Sequence, residues 1–210
     1  MYLPQHFAEE RPEILNHLID ASGLATLVTV KDGLPYASHL PFIRMADPAP
    51  QGRLIGHLAR ANPQIQGLAA GQTALAIFPG PDAYVSPNYY PSKAVAGKAV
   101  PTWNYVALHA YGELRLIEDA AELEDILTRL TDRHEAGQPH PWKVTDAPQD
   151  YRLTMMKSIV GVELRLTRLE GKWKLSQNRT AEDRAGVVAG LAASDHPGER
   201  AVGAAMRARE

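Results

Sequence analysis

Leu24 to Phe42 reads "LATLVTVKDGLPYASHLPF", two apolar, β-branched runs that meet at Asp32-Gly33. Asp-Gly tolerates the positive φ angles that a two-residue hairpin turn requires, so the stretch predicts antiparallel strands over about Ala25–Val30 and Tyr36–Phe42. Antiparallel pairing at the start of the chain argues against a doubly wound α/β protein, whose strands would be separated by helices.

The flanking sequence extends this pattern. "RPEILNHLID" places Ile14, Leu15, Leu18 and Ile19 at helical spacing, which predicts a helix over 11–20 with Pro12 in its first turn. A short strand is expected at Arg53–His57 and a helix over 62–70. "TALAIFPG" and "AYVSP" read as two further strands, followed by an aperiodic loop from Asn88 to Thr102. A long strand runs from Trp103 to about Ile117. Asp119 then caps a helix over 119–136, whose stripe is Leu123, Ile126, Leu127 and Leu130. "SIVGVELRLTRLEGKWKLSQN" predicts a hairpin turning at Glu170-Gly171, and an Ala-rich helical segment over 180–208 breaks near His196-Pro197. Five to seven hairpin-paired strands with helices at their margins imply a mainly β, antiparallel barrel in a single domain, 1–210.

Composition narrows the chemistry. The 210 residues include no cysteine, which removes thiolate metal sites, iron–sulfur clusters and cysteine nucleophiles together. Lys and Arg number 22 against 24 Asp and Glu, a formal charge of −2 with no basic cluster, so direct DNA binding is disfavoured. No apolar run is long enough to span a bilayer and the start lacks signal-peptide order, so a cytoplasmic protein without membrane contact is expected. Nucleophile elbow, P-loop, dinucleotide fingerprint and H-E-x-x-H patterns are all missing, and no metal site is expected.

Four stretches carry chemical potential. In "ASHLPF", Ser38 and His39 lie mid-strand beside Leu40, as site residues or as satisfied interior polar groups. In "GHLARANPQ", His57, Arg60 and Asn62 surround a strand-to-helix turn, which is either an anion site at a helix N-terminus or a solvated turn. "YVSPNYYPSKAVAGKAVPTWNY" gathers Tyr84, Tyr89, Tyr90, Trp103 and Tyr105 around Asn104, Lys93 and Lys98. Such rings and cations suit a flat anionic ring system, and equally a core or a subunit contact. In "KWKLSQNR", strand alternation puts Lys174, Ser176 and Asn178 on one face and Trp173, Leu175 and Gln177 on the other, ahead of Arg179.

In their order along the chain, "MYLPQHF", "LATLVTVKDGLPYASHLPF", "GHLARANPQ", "YVSPNYYPSK", "VPTWNYVALHAYGEL" and "KLSQNRTAEDRAGVVAGL" resemble the PaiB-type FMN-binding transcriptional regulators. The resemblance implies an FMN-binding split β-barrel of antiparallel Greek-key type, homodimeric, with FMN at the subunit interface. It further implies that Ser38, His39 and Leu40 lie along the isoalloxazine ring. His57, Arg60 and Asn62 would hold the phosphate, with Lys93 in support. Trp103, Asn104 and Tyr105, and Ser176, Gln177, Asn178 and Arg179, would cover the ring. Related oxidases carry an Arg-Lys pair where this chain offers Arg60 and Asn62. The resemblance implies a negative regulator acting as a flavin sensor or through a partner. The alternatives are an FMN-dependent oxidoreductase of flavin reductase or pyridoxamine phosphate oxidase type, or a haem-binding split barrel with His39, His57 or His109 as ligand.

Overall fold

A computed structural model describes residues 1–46, 51–66, 68 and 71–209. In chain order the elements are β1 (Ala8–Glu9), α1 (Pro12–Ala21), β2 (Ala25–Lys31), β3 (Leu34–Leu40), β4 (Ile43–Met45), β5 (Arg53–Ala59) and β6 (Gln72–Val85). There follow α2 (Ser92–Ala96), β7 (Thr102–Ile117), α3 (Ala120–Glu135), α4 (Gln149–Met156), β8 (Ile159–Lys174), α5 (Ala181–Ala192) and α6 (Pro197–Arg207). Among the described residues the strand order is β3-β2-β6-β7-β8-β5-β4, with β1 on β8. The β1–β8, β2–β3, β2–β6, β4–β5 and β5–β8 pairs are antiparallel. This order begins on β3 and ends on β4 without closing. The fold is thus mixed α and β around an open sheet, where the sequence implied a mainly β, antiparallel barrel with helices at its margins.

The chain divides into two compact units. One holds Met1–Leu15, Pro79–Leu108 and Glu170–Glu210; the other holds Asn16–Phe78 and His109–Leu169. In the second unit the β2–β3 hairpin turns at Asp32 and Gly33, both at positive φ (52° and 77°), as the dipeptide requires. Leu27, Ala76, Leu54, Val162 and Leu164 form its fully buried interior. A cluster of Ile43, Ile55, Ile117, Ile126 and Leu130 seats α3, whose first turn is capped by Asp119 accepting from the amides of Ala121 and Glu122. In the first unit, α5 and α6 pack together through Val187, Leu191, Val202 and Met206.

Three expectations give way. β6 is one strand where two were read, and β8 runs through Glu170-Gly171 where a hairpin was read. The cause in β6 is a change of phase: Ala74, Ala76 and Phe78 are buried, then Ala83 and Val85. A shift from even to odd positions across Pro79–Asp82 mimics a turn in the sequence, although the backbone stays extended. In β8, Gly171 is small because it is crowded, since a Cβ there would lie 2.7 Å from the Glu9 carbonyl oxygen and 2.4 Å from Leu15. Third, the helix expected over 62–70 is a 3₁₀ turn, Pro63–Ile65; Gly67, Ala69 and Ala70 lie outside the described residues. The Asn88–Thr102 loop in turn holds a 3₁₀ turn at Pro87–Tyr89 and the short α2.

Candidate functional site

The residues singled out in the sequence fall into two groups, one in each unit. In the second unit, β3 lies at the end of the strand order, so one backbone edge has no strand partner among the described residues. Ser38 sits half-buried on that strand, with His39 exposed and Leu40 buried beyond it. The Asn62 side-chain amide donates to Ser38 Oγ at 2.9 Å, while its oxygen accepts from the Gln64 amide at 2.9 Å. Gln64, itself buried, donates to the Leu27 carbonyl at 3.0 Å and so fixes the turn against the hairpin. His39 Nδ1 pairs with Thr26 Oγ1 at 3.0 Å.

His57, on β5, has a buried Nδ1 with no hydrogen-bond partner among the described residues, and burial pushes its pKa below the ordinary histidine value. An orphaned imidazole nitrogen held neutral is a group that a polar ligand can satisfy. Arg60 donates to the Lys157 carbonyl at 3.1 Å and to Glu118 at 2.8 Å. That ion pair is exposed on both sides, so it is weak and a phosphate can replace the carboxylate. The anion-attracting helix end expected here does not form: the turn is only three residues long, and Asn62 itself takes one of its amides. His57, Arg60 and Asn62 therefore offer side-chain donors without a helix dipole.

In the first unit, alternation along β7 decides the fate of the aromatic run. Asn104 faces the core, 1% exposed, and donates to Ser176 Oγ at 2.9 Å. Trp103 and Tyr105 take the opposite face, and Trp103 is 53% exposed with its ring edge toward Tyr84 at 6.2 Å. These two rings share one face of the strand, whereas Asn104 is committed inside.

The SQNR stretch is a turn, not the strand continuation that the alternation implied, because β8 ends at Lys174. Ser176 adopts φ 64°, a left-handed conformation uncommon for serine, and its hydroxyl locks onto Asn104. Gln177 bonds the Leu175 amide and the Trp173 carbonyl, and the Arg179 guanidinium lies 4.7 Å over the Tyr90 ring. Asn178 is exposed, as is Lys93, which bonds Asn88 at 2.5 Å.

The sequence of the second unit also builds a cavity of about 430 Å³ between α3 and the sheet, floored by Ile55, Ile117 and Ile126 and edged by Arg53 and Glu163. It contains none of the expected site residues. Burial opposes ionisation of Glu163, yet hydrogen bonds and charges from Arg115 and Arg53 win and hold its carboxyl below the usual range. The described residues contain no metal-holding group of His, Asp or Glu side chains. None of their helices is long and apolar enough to cross a membrane.

A family model described as "Putative FMN-binding domain" matches residues 1–168, which takes in the β2–β3 hairpin, the Arg60 turn and the aromatic run of β7. The chain belongs to this FMN-binding domain family. Among relatives, the protease synthase and sporulation protein PAI 2 of Bacillus subtilis is 31% identical over 199 residues, covering 94% of this chain and 92% of that one. An uncharacterized protein of Emericella nidulans, AN0679, is 34% identical over 226 residues, covering 91% and 90%. Among solved structures, the FAD and heme binding protein of Mycobacterium smegmatis aligns with TM-score 0.61 at 21% identity, covering 85% of this chain and 78% of that one, a likeness of fold. The fold resembles the flavin split-barrel superfamily, with its sheet open.

The structure sets beside Lys174, already singled out in the sequence, a second lysine that was not, Lys172. Lys172 is buried and Lys174 half-buried, both on β8. Strand alternation does put them on one face, but nothing in "KWK" distinguishes a buried lysine from a solvated one.

Proposed function

We propose that this protein binds FMN and uses it in an oxidoreductase reaction. Membership of the FMN-binding domain family over residues 1–168 carries the reading. The orphaned Nδ1 of His57, the β3 edge that lacks a strand partner among the described residues, the exposed Trp103 and the half-buried Tyr105 are compatible with such a ligand. When bound, the flavin supplies hydride or electron transfer, and the protein binds and orients it. In this reading the β3 backbone and Ser38 bond the ring edge, with His39 and Leu40 beside it. His57, Arg60 and Asn62 donate to the phosphate. From a second copy of the chain, Trp103 and Tyr105 exclude water from the ring, while Asn104 fixes the Ser176–Arg179 turn that closes over it, with Lys93 nearby. Two copies of the single 1–210 domain complete the site as a homodimer, and the protein works in the cytoplasm.

The test is to titrate purified apo-protein with FMN while following flavin fluorescence, then to add NADH or NADPH anaerobically. Saturable quenching followed by bleaching of the flavin band is expected. No quenching refutes the binding; binding without bleaching by either nucleotide refutes reduction by them.

A second reading is the negative regulation of gene expression that the sequence resemblance implies, beside a 31% identity over 94% of the chain to a protein named for protease synthesis and sporulation. Near-zero net charge points to action through a partner rather than direct operator contact. A gel-shift of genomic fragments at physiological salt, with and without FMN, distinguishes them. A haem-binding role would be betrayed by a Soret band on haem addition.

A further inference from the structure

Lys172 is 7% exposed, and its Nζ donates to the Tyr2 carbonyl at 2.9 Å. The same ammonium lies 5.4 Å from the Tyr2 ring centroid and 5.3 Å from that of Tyr105. An ammonium has three donors, and one is used. Two residues on and on the same strand face, Lys174 Nζ donates to Thr102 Oγ1 at 2.7 Å and to the Trp103 carbonyl.

Neither lysine has a carboxylate partner among the described residues. Three acids of the same unit are engaged elsewhere: Glu9 with Arg11 and Arg209, Glu170 with the Met1 amino group, Asp183 with Ser92. Burial first, then the charges of Lys172 and Arg179, push the Lys174 pKa below its ordinary value, which is the signature of cations gathered without a counter-charge. A buried cation that lacks an opposite charge is costly, and proteins rarely keep one without a use for it.

We propose that Lys172 and Lys174, beside the ring of Tyr105, form a binding site for one oxyanionic group, a phosphate or a carboxylate, of a small molecule. A phosphate monoester carries about −1.5 to −2 charges near neutrality, which two ammonium groups balance. The group is either the flavin's own phosphate or part of a second molecule. The site itself stands whether or not the protein reduces flavin.

Inorganic phosphate is the probe, titrated into the full chain at constant ionic strength against chloride, with the thermal unfolding midpoint followed. In the wild type the midpoint rises with phosphate; in Lys172→Met it does not, although that variant is at least as stable in chloride because the unpaired charge is gone. Lys174→Gln, which removes the charge but keeps an amide donor, lowers phosphate affinity at least fivefold and serves if the methionine variant fails to fold. No phosphate response in the wild type, or the same response in wild type and variants, overturns the proposal. Titrating FMN and riboflavin in parallel separates the two sources. Phosphate that displaces FMN, with Lys172→Met weakening FMN but not riboflavin, assigns the group to the flavin, whereas phosphate bound alongside FMN assigns it to a second molecule.

Discussion

The two units hold their candidate ligand residues in opposite electrostatic states. In the second unit the arginines are balanced: Arg60 faces Glu118, and Arg53 and Arg115 share Glu163. In the first, Lys172 and Lys174 are steadied by carbonyls, a hydroxyl and aromatic faces, and Arg179 lies over a tyrosine ring. A balanced site can exchange one anion for another at little cost, because the carboxylate returns to water when a phosphate arrives. An unbalanced one gains a counter-charge on binding. Donors of similar chemistry thus imply different sensitivities, and substitutions in each unit can break the contrast or sharpen it.

The largest effect is expected where the first unit is tightest. A Cβ at Gly186 would sit 2.1 Å from the Tyr89 carbonyl oxygen, so Gly186→Ala should cost about 1–3 kcal/mol in urea unfolding by forcing α5 away from the Pro87–Tyr89 turn. Gly33 in the second unit has open space around it and a φ of +77°. Gly33→Ala should cost about 1 kcal/mol from backbone strain alone. Equal losses at the two positions would remove the distinction between crowding and conformation.

Arg60→Ala should weaken FMN binding by about 1.5–3 kcal/mol, as measured by fluorescence titration, while leaving riboflavin affinity unchanged. The same loss for both ligands would show that Arg60 does not meet the phosphate.

Acid should act on the second unit through two different groups. Glu163 has a folded pKa below its ordinary 4.5, so its stabilising contribution is present above that value and is lost as pH falls through the folded pKa. His57, also depressed, favours the folded state above about 6.5, the ordinary histidine value, and ceases to do so as pH drops below it. His57→Gln should flatten the stability profile between that value and the carboxylate range, and Glu163→Gln should flatten it only below pH 4.5. Chemical denaturation across pH 3 to 8 checks both, and unchanged slopes would contradict the assignments.

The smallest effect belongs to Arg129→Ala, which removes an exposed i,i+4 pair with Asp125 on α3. About 0.3–0.5 kcal/mol is expected, close to the limit of a urea melt.

The sequence alone determined the features that depend on neighbours in the chain. The Asp32-Gly33 hairpin, the Asp119 cap and stripe of α3, the opening helix and the paired C-terminal helices all rest on local φ preference, capping or periodicity, and the structure contains each of them. Along β7, strand alternation separates Trp103 and Tyr105 from Asn104. Only tertiary structure decided that β6 and β8 continue where local signals say stop, because a phase shift and a crowded glycine look like turns until the partner strand is present. It also decided which basic residues are balanced and which are not. Charge pairing across 58 positions, as between Arg60 and Glu118, or its absence around Lys172, is a property of distance in space, and no local pattern records it.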